Sequence, residues 1–471
     1  MIRKEEILER ARGWGLRVDV VEKDYVLGWL LAALARNPNV RRNWVFKGGT
    51  CLKKCYFETY RFSEDLDFSI RPGATYTSDA LLGILRAVAK DAHDLSGIEF
   101  PIGDIRLDDR HNKQNQSTFR GRVPYRGPLA RPQLANILFD LTQHEVLVDE
   151  ADERTIFHPY PDELPEDLAV VSYAIEELFA EKTRALLERT RPRDLYDVVQ
   201  MVENHSESID FGIARDIFEK KCVHKSLSAP GAAELKALVR GSSELKADWA
   251  NMLGHQLPAL PPIDAVLGRL DAVLSWLDRP VNVPAGMDSV GPARTEARPG
   301  LPILGRLATG SVIAPPSVTY WGSGPIEHIR FAGANRLLVS FTYNGKPRVA
   351  EPYSLRRTSA GFVTLFAWVR GDPNIKQFRI DEIRGLTVTS ETFEPRYAIE
   401  LTGSMIPSSK RSAPTRRTSG SRIRFGVTYV FRCYRCGREF SHERSNPALR
   451  PHQDTAGSDC SGRRGNLERV E

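Results

Sequence analysis

The segment that most limits what this chain becomes is Gly48-Gly49-Thr50, followed by the alternating stretch Asp65-Leu66-Asp67-Phe68-Ser69-Ile70. The apolar residues 44–46 lead into the paired glycines. With no Cβ in the way, a bulky anion can approach backbone N–H groups at the start of a helix, and Thr50 adds a hydroxyl. The alternation over 66–70 reads as a strand, in which residues i and i+2 share a face, so Asp65 and Asp67 project side by side. Two adjacent carboxylates repel each other unless a cation neutralises them. Mg²⁺ takes carboxylate oxygens, and a pair of such ions clamps the attacking and leaving oxygens of a phosphoryl transfer. A third carboxylate is expected from a neighbouring strand. Asp140, the lone acid in the apolar run 134–142, is the candidate, both to bind one metal and to accept the proton of an attacking hydroxyl. Alone, a paired acid is more often a solvated edge and a glycine pair a turn; their order and spacing point to nucleotide chemistry.

Around that segment, the apolar spacing of Ile7, Ala11, Val26, Leu30, Leu31 and Leu34 predicts two amphipathic helices within residues 1–40. A further helix is expected over 78–94, strands over 97–107, 116–124 and 134–142, and helix throughout 168–278. Lys182 and Arg189 fall on one helix face, where a lysine acts as a point charge and an arginine as a fork for phosphate. Asp194 suits the N-terminal end of the next helix. The competing reading of Arg189, Arg193 and Asp194 is an ion-pair network within the helices. Lys23 and Asp24 are candidates for pinning the first helices to the core.

The string FKGGTCLKKCYFETYRFSEDLDFSI resembles the first signature of the AbiEii/AbiGii-type nucleotidyltransferases, a toxin family of the polymerase-β-like superfamily that includes the MenT group. Glu22-Lys23-Asp24-Tyr25, NILFDLT around Asp140, and the helical stretch from Glu177 to Val198 resemble further signatures in the same order, so the likeness spans roughly residues 5–280. It implies an α+β nucleotidyltransferase core, a mixed sheet flanked by helices, over 1–160, completed by a helical lobe over 161–280. It implies catalytic Asp65, Asp67, Asp140 and Lys182, two Mg²⁺ ions, and an NTP held by Gly48, Gly49, Thr50, Ser63, Lys182, Arg189 and Asp194. The acceptor would be RNA, tRNA in the MenT group, or protein. An antitoxin chain, or a phage-defence role, would accompany the activity. The rival is a nucleic-acid-binding regulator with a catalytically silent core, against which the retention of all three acids argues.

Beyond residue 280 the chain changes character. Residues 281–320 are rich in Pro and Gly and read as a linker. Residues 321–402 carry short strands with an Asn344-Gly345 hairpin signal and resemble a WYL domain, a small β-barrel. Tyr343, Arg348, Arg379 and Arg384 are its candidate ligand contacts: an aromatic for stacking and guanidiniums for phosphate. They are equally readable as ordinary strand residues. The namesake tripeptide falls near Gly361-Phe362-Val363 and departs from the pattern.

A second linker, 403–424, is basic and Ser-rich, and 425–471 carries the CxxC pair Cys433 and Cys436. With His452 and Cys460 these make a candidate tetrahedral Zn²⁺ site of the zinc-ribbon kind, His442 being the other available histidine. A redox pair is the rival, but no thioredoxin-like pattern surrounds it. The chain carries +6 overall, yet residues 401–471 hold fourteen Lys/Arg against six Asp/Glu, so the surplus sits in the tail and invites a polyanion such as nucleic acid. The charged start and the lack of a long apolar run predict a cytoplasmic protein with no membrane segment.

Overall fold

A computed structural model of the chain describes residues 1–58, 60–111, 117–166, 168–278, 304, 311–312, 325–358, 361–401, 429–433, 436, 439–442, 452–453, 459–460 and 465–470. The linker expected over 403–424 lies outside the described residues, and so does that over 281–320 apart from 304 and 311–312. Two units form by contact, 1–410 and 411–471.

The first helices are α1 (Lys4–Trp14), α2 (Val18–Arg36) and α3 (Pro38–Asn43). The α2 helix is apolar nearly all round and buried over most of its length, which explains its weak amphipathic signature. A seven-stranded mixed sheet follows. Its strands are β1 (Trp44–Lys47), β2 (Asp65–Ile70), β3 (Arg106–His111), β4 (Ser117–Tyr125), β5 (Ala135–Thr142), β6 (Asp152–Thr155) and β7 (Ala169–Ser172), in the order β3-β4-β5-β2-β1-β7-β6. β2 runs parallel to β5 and antiparallel to β1, while β1 runs parallel to β7. One face packs Phe46, Phe68, Phe119, Val123, Phe139 and Leu141 into the core, with the Phe46 and Phe68 rings stacked at 4.9 Å. Helix α5 (Ser78–Ser96) covers this face; its Leu85 lies against Gly121 of β4. The alternate residues of the same strands, Asp67, Arg120 and Asp140 among them, project from the other face. That second face is buried at Val45 and Ser69 and half-buried at Arg120 and Asp140, so it is open towards β5 and β4.

Two expectations need correction here. The strand expected over 97–107 begins only at Arg106. Residues 97–105 hold an isolated bridge from Glu99 to Arg126 and a 3₁₀ turn Ile102–Asp104 after Pro101, whose fixed φ and missing N–H do not suit a ladder. The region 168–278 is not helical throughout, because Ala169–Ser172 is β7, which was not anticipated, and neither was its partner β6. A four-residue buried apolar stretch has no period by which to tell strand from helix.

After α4 (Gly48–Cys51) and a π-turn at Leu52–Tyr56, the later helices are α6 (Ile175–Arg189), α7 (Pro192–His205), α8 (Phe211–His224), α9 (Ala232–Gly241), α10 (Ser243–Leu253), α11 (Ile263–Leu267) and α12 (Leu270–Leu274). Next comes a six-stranded antiparallel sheet: β8 (Ser311–Val312), β9 (Leu337–Tyr343), β10 (Lys346–Arg357), β11 (Val363–Val369), β12 (Ile375–Arg379) and β13 (Arg384–Thr392). The β9–β10 hairpin turns at Asn344-Gly345, both at positive φ, as that dipeptide predicts. Helix α13 (Pro325–Ala334) joins this sheet to α7. Asn335 accepts from Tyr196 Oη (3.0 Å) and Gln200 Nε2 (3.1 Å), and Arg336 pairs with Glu203 at 3.1 Å. In the second unit, β14 (Tyr429–Cys433), β15 (Glu439–His442) and β18 (Gly465–Val470) form a small antiparallel sheet, and β16 (His452–Gln453) pairs with β17 (Asp459–Cys460). Among the described residues no helix is long and apolar enough to cross a membrane.

Candidate functional site

The register of the central strands gathers the acids. Asp67 lies directly opposite Asp140 in the parallel β2–β5 ladder, and Asp65 shares the Asp67 face two residues earlier. Three carboxylates separated by 75 residues of sequence thus meet on one sheet face. Burial pushes the Asp67 carboxyl up to about 6; Asp140 and Asp65 add to the rise, and Lys47 and Lys182 oppose it. Asp65 is also raised, first by burial and then by Glu64 and Asp140, against Lys23 and Arg193.

The glycine pair closes over it. Gly48 has φ +83°, and a Cβ there would lie 2.2 Å from Asp67 Oδ2. A Cβ on Gly49 would meet the Arg61 guanidinium at 2.5 Å and Ser63 Oγ at 3.0 Å, so Ser63 stands beside the cradle. The Thr50 hydroxyl donates to the Asp65 main-chain oxygen at 2.5 Å. It ties the glycine turn to the acid strand, so this hydroxyl is spent on the fold.

The helical lobe adds a charge lattice beside the acids. Lys182 contacts Asp194 (3.4 Å) and Asp197 (2.8 Å), and Arg189 forks onto Asp194 at 2.8 and 3.2 Å. Arg61, 2% exposed, forks onto fully buried Asp197 with two bonds of 2.7 Å, while Tyr60 Oη donates to the same carboxylate at 2.9 Å. Burial alone would raise Asp197, but Arg61 and Lys182 outweigh it and hold the carboxyl at about 2. Lys182, Arg189 and Asp194 are therefore brought together, in an ion-pair network whose lysine also acts on Asp67.

Several residues of the site escaped the sequence reading. Lys47 is the cross-strand partner of Asp67 and bonds Glu145 at 2.7 Å. Arg120 lies opposite Asp140 and forks onto it at 3.1 and 3.3 Å. Glu64 joins Lys23 (3.1 Å) to His255 (2.9 Å) and braces the turn before Asp65. The available signal for Lys47 was its place between the apolar run and the glycines; for Arg120 it was strand alternation with Phe119. Asp24 pairs with Lys54 at 2.7 Å, both essentially unexposed, so it pins α2 to the π-turn.

In the second sheet, Tyr343, Arg379 and Arg384 gather at the turn Ile380–Glu382. Tyr343 Oη donates to Glu382 (2.6 Å), Arg379 pairs with Asp381 (2.6 Å) and lies 3.8 Å over the Phe362 ring, and Arg384 bonds the Asp381 main-chain oxygen (2.6 Å). Arg348 sits on β10 opposite Phe341, its Nε shielded with no hydrogen-bond partner among the described residues.

In the second unit the sulfurs of Cys433, Cys436 and Cys460 lie within 4.8 Å of one another, Cys433 and Cys460 at 3.9 Å. His452 is the register partner of Cys460; its side chain lies outside what the structure describes. Cys51, Cys55 and Cys222 are buried packing residues.

No curated protein matches this sequence. Among solved structures, the MenT4 nucleotidyltransferase toxin from Mycobacterium tuberculosis is similar at 19% identity and a TM-score of 0.38, covering 60% of this chain and 92% of that one. The family model described as nucleotidyl transferase AbiEii toxin, type IV toxin–antitoxin system, matches residues 29–274, which include the glycine cradle, all three acids and the Lys182 lattice. The chain belongs to the AbiEii family of nucleotidyltransferase toxins, whose type IV systems imply an NTP substrate and an antitoxin partner.

Proposed function

We propose that this protein transfers NMP from an NTP to an RNA acceptor, tRNA foremost, with release of pyrophosphate. The observation that carries this reading is the Asp67–Asp140 register beside the Gly48 cradle. The donor chemistry suits two Mg²⁺ ions: three carboxylates share one sheet face, and burial, with Asp140 and Asp65 beside it, raises Asp67 to about 6, a cost that a bound cation would offset. Asp65, Asp67 and Asp140 would hold them, and the ions would supply Lewis-acid stabilisation of the transferring phosphate. The backbone N–H groups of Gly48, Gly49 and Thr50, with Ser63, receive phosphate oxygens, and Lys182 and Arg189 face the same charge. The acceptor hydroxyl oxygen attacks the α-phosphorus as the bond to the β-phosphate oxygen breaks; Asp140 takes the hydroxyl proton and pyrophosphate leaves.

Incubation with each labelled NTP, Mg²⁺ and total RNA tests the reading. Label enters RNA with the wild type and is lost with Asp65→Ala. RNA binding without transfer by the wild type would instead make the chain a nucleic-acid-binding regulator. Gly48→Ala puts a methyl group into the Asp67 carboxylate at a left-handed φ. Because a misplacement of about 1 Å costs on the order of 100-fold, kcat is expected to drop by about that factor, with stability lowered by about 1–2 kcal/mol. Unchanged kcat in this variant would place the chemistry elsewhere.

The domain reading extends the same proposal: residues 321–402 act as a ligand-sensing β-barrel, through Tyr343, Arg348, Arg379 and Arg384, and 425–471 as a zinc ribbon. Tetrahedral Zn–S bonds of about 2.3 Å put sulfurs roughly 3.8 Å apart, which the 3.9 Å Cys433–Cys460 separation fits, whereas a disulfide needs about 2.05 Å. With His452 as fourth ligand the purified chain carries about one zinc, measurable by mass spectrometry of the metal, and Cys433→Ser loses it. Full zinc retention in that variant overturns the ligand set.

A further inference from the structure

The acids sit in mid-sheet, with different surroundings on their two flanks. On the β1 side lies the Gly48-Gly49 cradle. On the other side, β5, β4 and β3 extend the same face outward. A single register row crosses these strands: Lys47, Asp67, Asp140, Arg120 and Asp108 are successive cross-strand partners. Beside that row, Arg122 on β4 is paired in register with Arg106 on β3, and Arg110 lies opposite Thr118. Arg106, Arg110 and Arg122 are all exposed, the first two at 62% and 56%. Among the described residues their acidic neighbours are loose, Asp104 to Arg106 and Asp108 to Arg110, each at 3.9 Å, and such exposed contacts yield readily to a better anion.

We propose that this arginine-bearing face of β3 and β4 is the platform on which the acceptor strand lies, its phosphates on Arg106, Arg110 and Arg122 and its terminal hydroxyl directed at the acids. The inference rests on the transfer reading above and adds the direction of approach. In-line displacement puts the attacking hydroxyl and departing pyrophosphate on opposite sides of the α-phosphorus. With the phosphates cradled on the β1 side, the acceptor enters from the β5–β4–β3 side. Strands about 4.8 Å apart carry β3 some 14 Å from β2, so the platform reaches past the reacting end onto the strand behind it. Exposed guanidiniums match a run of phosphates by charge and fork geometry. They suit an acidic strand better than a folded protein, for which the face offers no apolar anchor among these residues.

The test is the triple variant Arg106→Gln, Arg110→Gln, Arg122→Gln, compared with the triple Lys replacement and with wild type, using total tRNA as the probe. RNA affinity and KM for RNA are expected to worsen at least about tenfold in the Gln variant, and the slope of log affinity against log salt to shrink by roughly 2. KM for NTP and the melting midpoint stay at wild-type values, and the Lys triple recovers most of the RNA affinity. Wild-type RNA affinity and salt slope in the Gln triple overturn the platform, even where transfer itself is intact. Label found in protein rather than RNA, with no effect of the triple variant, overturns it too. If the wild type binds RNA through these arginines but transfers nothing, the platform stands and the transfer reading fails.

Discussion

Asp67→Asn is expected to lower transfer on the order of 1,000-fold while making the metal-free protein more stable. The activity loss follows from removing a carboxylate from the centre of the proposed cation site, since a single preorganised electrostatic contact at a reacting phosphate is worth roughly 10²–10³-fold and Asp67 is the acid on which both Asp65 and Asp140 act. The stability gain follows from the raised carboxyl. An unfolded aspartate titrates near about 4, and in the fold burial and Asp140 push Asp67 up to about 6. Its ionisation therefore opposes folding: the contribution is favourable below about pH 4 and is lost as pH rises through about 6. Asparagine removes that loss. The same linkage makes Mg²⁺ binding weaken as pH falls below about 6, because the ion competes with a proton. Thermal melting with and without Mg²⁺ at pH 5 and pH 7.5 reads both effects. A wild-type Mg²⁺ shift of equal size at both pH values, retained in Asp67→Asn, would remove Asp67 from the cation site.

Asp197→Ala is expected to destabilise the transferase by about 3–5 kcal/mol, a fall in melting midpoint on the order of 10 °C. The loss is larger than any surface pair would give because Arg61 is left buried without its counterion and Lys182 keeps only the longer contact to Asp194. Arg61→Met alone should cost a similar amount, since it leaves the buried carboxylate without its two guanidinium bonds and held by Lys182 and Tyr60 only. The double variant Arg61→Met, Asp197→Ala should lose less than the sum, because charge is then removed in pairs. Denaturant unfolding of the four proteins measures the coupling; additive losses would mean that the two side chains act independently. Transfer should suffer as well, since Asp197 positions Lys182, and Lys182 acts on Asp67.

The network explains why Lys182 is readable on a helix face while its purpose is not. Spacing on α6 put Lys182 and Arg189 on one face, and the fold does place them together. What holds them is Asp194 and Asp197 on the next helix and Arg61 from the turn before β2. Such contacts depend on how α6, α7 and the 57–64 turn pack, which no local period encodes. The same holds for Arg120, which reads as an exposed strand residue until β4 is laid beside β5.

Short elements were illegible for a different reason. β7 is four buried residues, and β6 opposite it carries Asp152, Glu153 and Arg154, so neither alternates in a way that separates it from its surroundings. Long elements were legible because periodicity accumulates: α5 and β5 appear over nearly their expected spans. The Asn344-Gly345 turn was legible because its backbone demand is local and chemical.

The sequence by itself determined the alternation that puts Asp65 and Asp67 on one face, the paired glycines that leave room beside them and the close spacing of Cys433 and Cys436, since each depends on bonds and angles within a few residues or on side-chain chemistry. Only the tertiary structure decided that Asp140 stands opposite Asp67 rather than one residue away. A slip of a single residue in the β2–β5 register would have turned that carboxylate to the α5 face, and pairing between strands 75 residues apart is set by the packing of both sheet faces, not by either strand alone.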